Sequence, residues 1–343
     1  MATGGGVTPD EGALRERAAA AAIHVLAVPT PFAVGRVNCY LIEDDPLTLV
    51  DVGPNSGTSL TELEKLLGEH GRRVEDLERI VLTHQHMDHV GLARILEDRS
   101  GAEVVTIDVL APWLGDFPHS QELDDAFAEV VMRRHGVPDE LATALRALTA
   151  GRRGWGGGAD VTHPVADGSV LSFADRELEV QLRPGHSPSD TVFLDRERRI
   201  LIGGDHLLAR ISSNPLVTRP LGEGTDAPRP HALQAYIDSQ RRTQELVLDV
   251  VLPGHGPPIG DHVALIDERL ESYARRAARI HGILTEHGPS TAHAVALVMW
   301  GNVAVTQAYL TLSEVLGHLD LLVADGRAVE HRHDDGPATF AVA

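Results

Sequence analysis

One cysteine, Cys39, is the only thiol in the 343-residue chain, so no internal disulfide can form. It lies in Val37–Asn38–Cys39–Tyr40–Leu41–Ile42, a strand-like context that reads as core rather than as a nucleophile's surroundings. Aromatic residues are scarce at 4%, which leaves Leu, Val, Ile and Ala to build the interior. Lysine occurs once, at Lys65. No apolar run approaches the ~20 residues that cross a bilayer. Residues 1–22 lack the basic-flanked apolar stretch of a secretory signal. These absences predict a soluble cytoplasmic protein with no membrane partner. Basic charge is also short: the formal net charge is −20, so the surface repels nucleic acid and anionic membranes.

What remains is an ordinary globular composition, 43% hydrophobic and 23% charged, long enough for a large domain or two. Residues 1–22 read as a flexible arm leading through a short helix. Strand patterns follow at Ile23–Pro29, Val37–Ile42 and Leu47–Gly53, then a helical repeat of Leu60, Leu63, Leu66 and Leu67 ending near His70–Gly71. Arg79–Leu82 and Glu103–Ile107 are further strands, and the alternation marks a mixed α/β domain. From about 111 to 163 the pattern turns helical, with Gln121–Arg134 and Pro138–Ala150 followed by a glycine-rich loop, Gly151–Gly158. This insertion is either a lid or substrate wall, or a plain packed hairpin. Strands resume at Ser169–Phe173, Leu178–Leu182, Thr191–Leu194, Ile200–Gly203 and Val250–Leu252.

The chemistry concentrates in Thr83–His84–Gln85–His86–Met87–Asp88–His89–Val90–Gly91, between a strand and a helical segment. Buried histidines and carboxylates must be paired or hydrogen-bonded, so crowding them into one turn gains nothing in packing. A metal site explains them economically. Three later strands end in glycine and then a ligand-type residue: His186 after Pro184–Gly185, Asp205 after Gly203–Gly204, and His255 after Pro253–Gly254. Glycine there permits a sharp bend and close approach. Asp51, ahead of Gly53–Pro54, reads equally as a turn former or as a support for the ligands.

In this order, the motifs around Asp51, His84–Gly91, Pro184–Gly185–His186–Ser187–Pro188, Gly203–Gly204–Asp205 and Pro253–Gly254–His255–Gly256 resemble the metallo-β-lactamase-fold hydrolase superfamily, in its lactamase-beta-2-like and glyoxalase-II-like branch. The resemblance implies an α+β fold, an αββα sandwich over residues 23–260, with a small winged-helix-like domain over 261–343. It also implies that His84, His86 and His186 hold one metal, that Asp88, His89 and His255 hold a second, and that Asp205 bridges them. Two divalent ions follow, zinc in the first place and iron or manganese otherwise. Ser189–Asp190 stand where many relatives have Gly-His.

The implied reaction is hydrolysis, a metal-bridging hydroxide attacking a thioester, ester or lactone carbonyl while Asp88 helps the leaving group depart. The substrate is then a small or carrier-bound acyl compound, with Ser212, Ser213 and Asn214 expected on the pocket wall. Endoribonuclease or phosphodiesterase activity, a mononuclear iron persulfide dioxygenase and a non-catalytic ligand-binding regulator are the alternatives. The tail carries eleven acidic residues against six arginines, which disfavours DNA and suits packing on the catalytic domain or a homodimer contact.

Overall fold

The computed structural model describes residues 10–343; the glycine-rich start of the expected arm lies outside the described residues. Glu11–Ala20 is the short helix, capped by the Asp10 side chain, with Leu14 and Ala18 in the core. The first sheet contains β1 (Ile23–Val28), β2 (Val37–Ile42), β3 (Thr48–Val50), β4 (Arg79–Val81), β5 (Glu103–Ile107) and β6 (His163–Val165), in that spatial order. Its first two pairings are antiparallel and the other three parallel. The second sheet contains β7 (Val170–Ser172), β8 (Glu177–Leu182), β9 (Thr191–Asp195), β10 (Ile200–Gly204) and β11 (Val250–Pro253). Only β10 and β11 run parallel in it.

Alternation along the strands explains why the second sheet reads as unbroken apolar runs. Phe193, Ile200, Ile202, Val250 and Leu252 face the main core shared with the first sheet. Their neighbours Val192, Leu194, Leu201 and Val251 face the other way, onto Ile259 and Ile266. A sheet buried on both faces needs hydrophobic residues at every position, so the period of two disappears from the sequence. This is the expected α+β sandwich, two sheets face to face with helices outside. β6, three residues with a proline at the sheet's edge, carries no alternation, and the expected insertion ends where it begins.

A second core joins segments far apart in sequence. Phe127, Val131, Met132 and Ala142 of the insertion helices Phe117–Arg134 and Asp139–Ala150 pack with Ile280, Leu284, Val295, Leu312 and Leu316 of the C-terminal segment. That segment is built of helices His262–His287, Ala292–Trp300, Val303–Thr306 and Ala308–Ala324, closed by β12 (Ala328–His331) pairing antiparallel with β13 (Thr339–Val342). The last helix runs through Gly317 without a break to Ala324. A Cβ at Gly317 would lie 2.7 Å from Leu233 Cβ, so the glycine serves close helix contact. Among the described residues, no helix is long and apolar enough to cross a membrane.

Candidate metal centre

The parallel pairing of β3 with β4 and of β10 with β11 sends these strands out of their sheets in common directions. β8, two antiparallel steps from β10, points the same way as β10. Asp51, His84, His186, Asp205 and His255 each follow the C-terminal end of one of these five strands, and Asp88 and His89 ride on the short helix Met87–Val90. All seven expected ligands are thereby brought together, in the groups His84–His86–His186, His84–His89–Asp205 and Asp88–His89–His255.

In the first group, His86 Nδ1 lies 3.0 Å from His84 Nε2 and 2.8 Å from His186 Nε2. Nitrogens held tetrahedrally by one zinc at about 2.0–2.1 Å stand about 3.3 Å apart, close to this spacing. The hydrogen bonds on the other ring nitrogens fix the tautomers. Thr83 Oγ1 donates to Asp51 Oδ2 at 2.9 Å, so it accepts from His84 Nδ1, also at 2.9 Å. His186 Nδ1 donates to the Asn214 carbonyl at 3.2 Å, and His255 Nδ1 to the Arg36 carbonyl at 2.8 Å. His89 Nδ1 donates to Asp51 Oδ2 at 2.7 Å. Each of these four rings therefore turns Nε2 inward, the arrangement that orients metal-binding imidazoles.

Asp51 thus does both things its sequence allows. It turns the chain with φ of 57°, and its carboxylate also accepts the Thr83 backbone N–H at 2.9 Å.

Asp205 faces both groups: Oδ2 lies 3.5 Å from His186 Nε2 and 3.5 Å from His255 Nε2, and Oδ1 lies 3.5 Å from His89 Nε2. His89 Nε2 and Asp205 Oδ1 are buried without a hydrogen-bond partner. Native interiors rarely leave such atoms unpaired, so this pair fits a divalent cation. Space is also reserved beside it, because a Cβ at Gly254 would come within 2.3 Å of Asp205 Oδ1 and 2.7 Å of His89 Cε1.

The electrostatics divide the site. Burial, reinforced by neighbouring imidazoles, pushes His84 and His186 well down. Burial likewise brings His86 to about 4, so these three stay neutral with lone pairs free. Burial works against protonation of His89 too, but the charges of Asp51 and Asp205 outweigh it and raise His89 to about 10. His255 is raised against burial by Asp205 and Asp88. Asp88 is lowered despite its burial, by the hydrogen bond to His255 and the charge of His89, and its Oδ2 lies 3.3 Å from His255 Nε2. Burial raises Asp205.

The residues that replace the common Gly-His serve the ligand loop. Asp190 accepts from Ser187 N at 3.0 Å and from Ser187 Oγ at 2.7 Å, and burial raises its carboxyl to about 7. Ser189 Oγ donates to the Gln85 side chain.

Of the loop expected on the pocket wall, Ser213 Oγ donates to the Asp205 carbonyl, Asn214 presents its carbonyl to His186, and Ser212 faces the Tyr273 hydroxyl at 3.5 Å. None of the three lines the cavity beside the metal centre. The chain reaches that cavity a few residues later, because Ser213 and Asn214 are tied back against the ligands.

That cavity measures about 820 Å³ and opens beside Gln85, His86 and Met87. Insertion residues including Met132, Leu145 and Trp155 form one side, and Leu216–Arg219 with Thr306–Leu310 form another. Three arginines around it are paired: Arg146 with Glu122 and Glu129, Arg153 with Asp125, and Arg219 with Asp124 at 2.8 Å. Arg152 is exposed on the lining and makes no ion pair among the described residues. Sequence reasoning missed Arg36 and Asn214 as ligand supports because they act through backbone carbonyls. It missed the cavity wall because no local pattern links residues 121–155 to 306–310.

The chain is 32% identical over 301 residues to the Probable metallo-hydrolase YqjP of Bacillus subtilis, covering 88% of this chain and 92% of that protein. It is 23% identical over 281 residues to an atrochrysone carboxyl ACP thioesterase of Aspergillus fumigatus, covering 81% and 67% of the two chains. The crystal structure of a beta-lactamase domain protein from Burkholderia ambifaria superposes with a TM-score of 0.77 at 25% identity, over 94% of this chain and 92% of that one. Residues 33–255 match the metallo-beta-lactamase superfamily across the span that carries every expected ligand, and the chain belongs to that superfamily.

Proposed function

We propose that the protein is a dinuclear metal-dependent hydrolase of acyl thioesters, with oxygen esters and lactones as poorer substrates. The observation that carries this reading is the cavity of about 820 Å³ that begins at His86 and runs between the insertion and the C-terminal segment. Met132, Leu145, Leu216 and Leu310 give it apolar walls suited to an acyl chain, with the carbonyl end toward the metal centre. Similarity to a protein named as an acyl-carrier thioesterase supports the choice.

In this reading His84, His86 and His186 hold one ion, Asp88, His89 and His255 hold the other, and Asp205 serves both. The ions, when bound, supply a water acidified toward pKa ~7 and a Lewis acid for the carbonyl oxygen. The remaining work falls to side chains. Thr83, Asp51, Arg36 and Asn214 hold the imidazoles in the tautomers described above. Asp88, ionised and facing the centre, takes the proton the attacking water gives up and passes it to the leaving atom. A departing thiol, with pKa about 8.5, needs little such help, which favours thioesters over esters. Arg152 at the cavity wall pairs with a phosphate or carboxylate carried by the substrate, since the other arginines are already neutralised.

The test compares purified metal-loaded protein on acyl-CoA and acyl-cysteamine thioesters, p-nitrophenyl esters, lactones, a phosphodiester and a β-lactam. Thioesters are expected to give the highest kcat/KM, with two metal equivalents held at the buried centre. A preference for the phosphodiester or the β-lactam, or a single equivalent of iron, overturns the proposal.

A further inference from the structure

Outside the metal centre, a second group of ligand-type side chains meets at the opposite end of the first sheet. His24 lies on the edge strand β1, Glu43 follows β2, and His70 caps the helix Gly57–Glu69. β2 runs antiparallel to β3, so Glu43 sits beside the start of β3 while Asp51 and the metal centre lie beyond its other end. His24 Nε2 is 3.0 Å from Glu43 Oε2, and the His24 and His70 rings stand 4.3 Å apart at 39°. One ligand atom from each of the three residues lies within 4.8 Å of the others.

We propose that His24, Glu43 and His70 form a separate surface site for a divalent ion of the zinc class. Two imidazoles and one carboxylate are a nitrogen-rich, borderline-soft set; it suits Zn(II), Ni(II) or Cu(II) and not Mg(II) or Ca(II), which take oxygen ligands. Arg72 Nε holds the other carboxylate oxygen, Oε1, at 3.2 Å and so orients Oε2 toward His24. The proton between His24 Nε2 and Glu43 Oε2 is the one the ion replaces. Drawing the ligands to the ~3.3 Å separation of a tetrahedral zinc needs only side-chain rotation, which their partial exposure permits: 20% for His24 and 27% for Glu43. Solvent supplies the fourth position. The bound ion would tie the edge strand, the end of the hairpin and the end of a helix to one another.

Equilibrium dialysis of the full chain against micromolar Zn(II) tests this in three proteins: wild type, His70→Ala and Glu43→Gln. Each variant is expected to bind one equivalent fewer than wild type and to keep the wild-type rate of hydrolysis. The occupancy of the buried centre is common to all three and cancels in the difference, so failure of the proposed thioesterase reading leaves this comparison intact. Added Zn(II) is also expected to raise the melting temperature of wild type more than that of His70→Ala. Equal stoichiometry in wild type and both folded variants overturns the site, as does displacement of the extra equivalent by Mg(II).

Discussion

His84 comes to the metal centre from the end of β4, and Tyr309 comes to the adjoining cavity from the C-terminal helix Ala308–Ala324. The first belongs to a set in which four of the five imidazoles have their outer nitrogen held by a threonine, an aspartate or a backbone carbonyl. The second belongs to a wall assembled from an insertion and a tail that share a core of their own. The expected ligand set is held by named polar contacts, whereas the wall is built by apolar packing and a few ion pairs. The expected ligands therefore sit at strand ends, and much of the cavity wall comes from the surrounding helices.

Substitutions separate the two regions. Asp205→Ala acts on the group that faces both ion positions, and we expect turnover to vanish together with metal loading of the buried centre; unchanged activity sinks the assignment. Asp51→Asn leaves the ligands in place but removes the carboxylate charge and one of the two oxygens that accept from His89 Nδ1 and Thr83. Metal affinity is expected to fall by about 10–100-fold, read by chelator competition.

The next two act on the second core. Arg229 and Asp320 form a buried bidentate pair at 2.5 and 2.6 Å. Arg229→Leu strands the Asp320 carboxylate and is expected to cost about 3–5 kcal/mol in denaturant unfolding, with the metal content of the folded protein unchanged. His135 is stacked on Phe340, and burial pushes it down to about 3. Below its unfolded pKa of ~6.5 the unfolded chain takes up a proton that the folded chain refuses, so stability falls as the pH drops from ~6.5 toward 3. His135→Phe is expected to flatten that slope, by on the order of a few kcal/mol at its lower end, in unfolding curves taken across this window.

The smallest effect is expected at the cavity rim. Arg152→Ala is expected to raise KM for an anionic thioester by roughly 3–10-fold with kcat preserved, and to leave an uncharged p-nitrophenyl ester unaffected. An equal change for both substrates removes the charge from the explanation.

The strands were legible because their patterns are local, a few residues long; the sandwich and the expected ligand set followed from the resemblance carried by the motifs at their ends. His186 and His255 could be named from their own strand ends without knowing what lies opposite. Ser212–Asn214 were placed on the pocket wall by proximity to Asp205, but side-chain and carbonyl bonds back to the ligands give them a different task. The close contact that Gly317 makes with Leu233 is invisible in the chain because a glycine's neighbours in space leave no mark on the sequence. The three residues of β6 were too few to show a period.

The contact between Gly317 and Leu233 has a bearing on how such proteins diverge. The helix Ala232–Gln244 that carries Leu233 also carries Tyr236, whose hydroxyl donates to the His206 carbonyl, next to Asp205, at 2.5 Å and whose Cβ would clash with any side chain at position 185. A bulkier residue at 317 therefore presses, through one helix, on the loops that present His186 and Asp205. Across related sequences, residue size at 317 and at 233 is expected to trade inversely, so that the tail and the catalytic loops drift as a coupled pair.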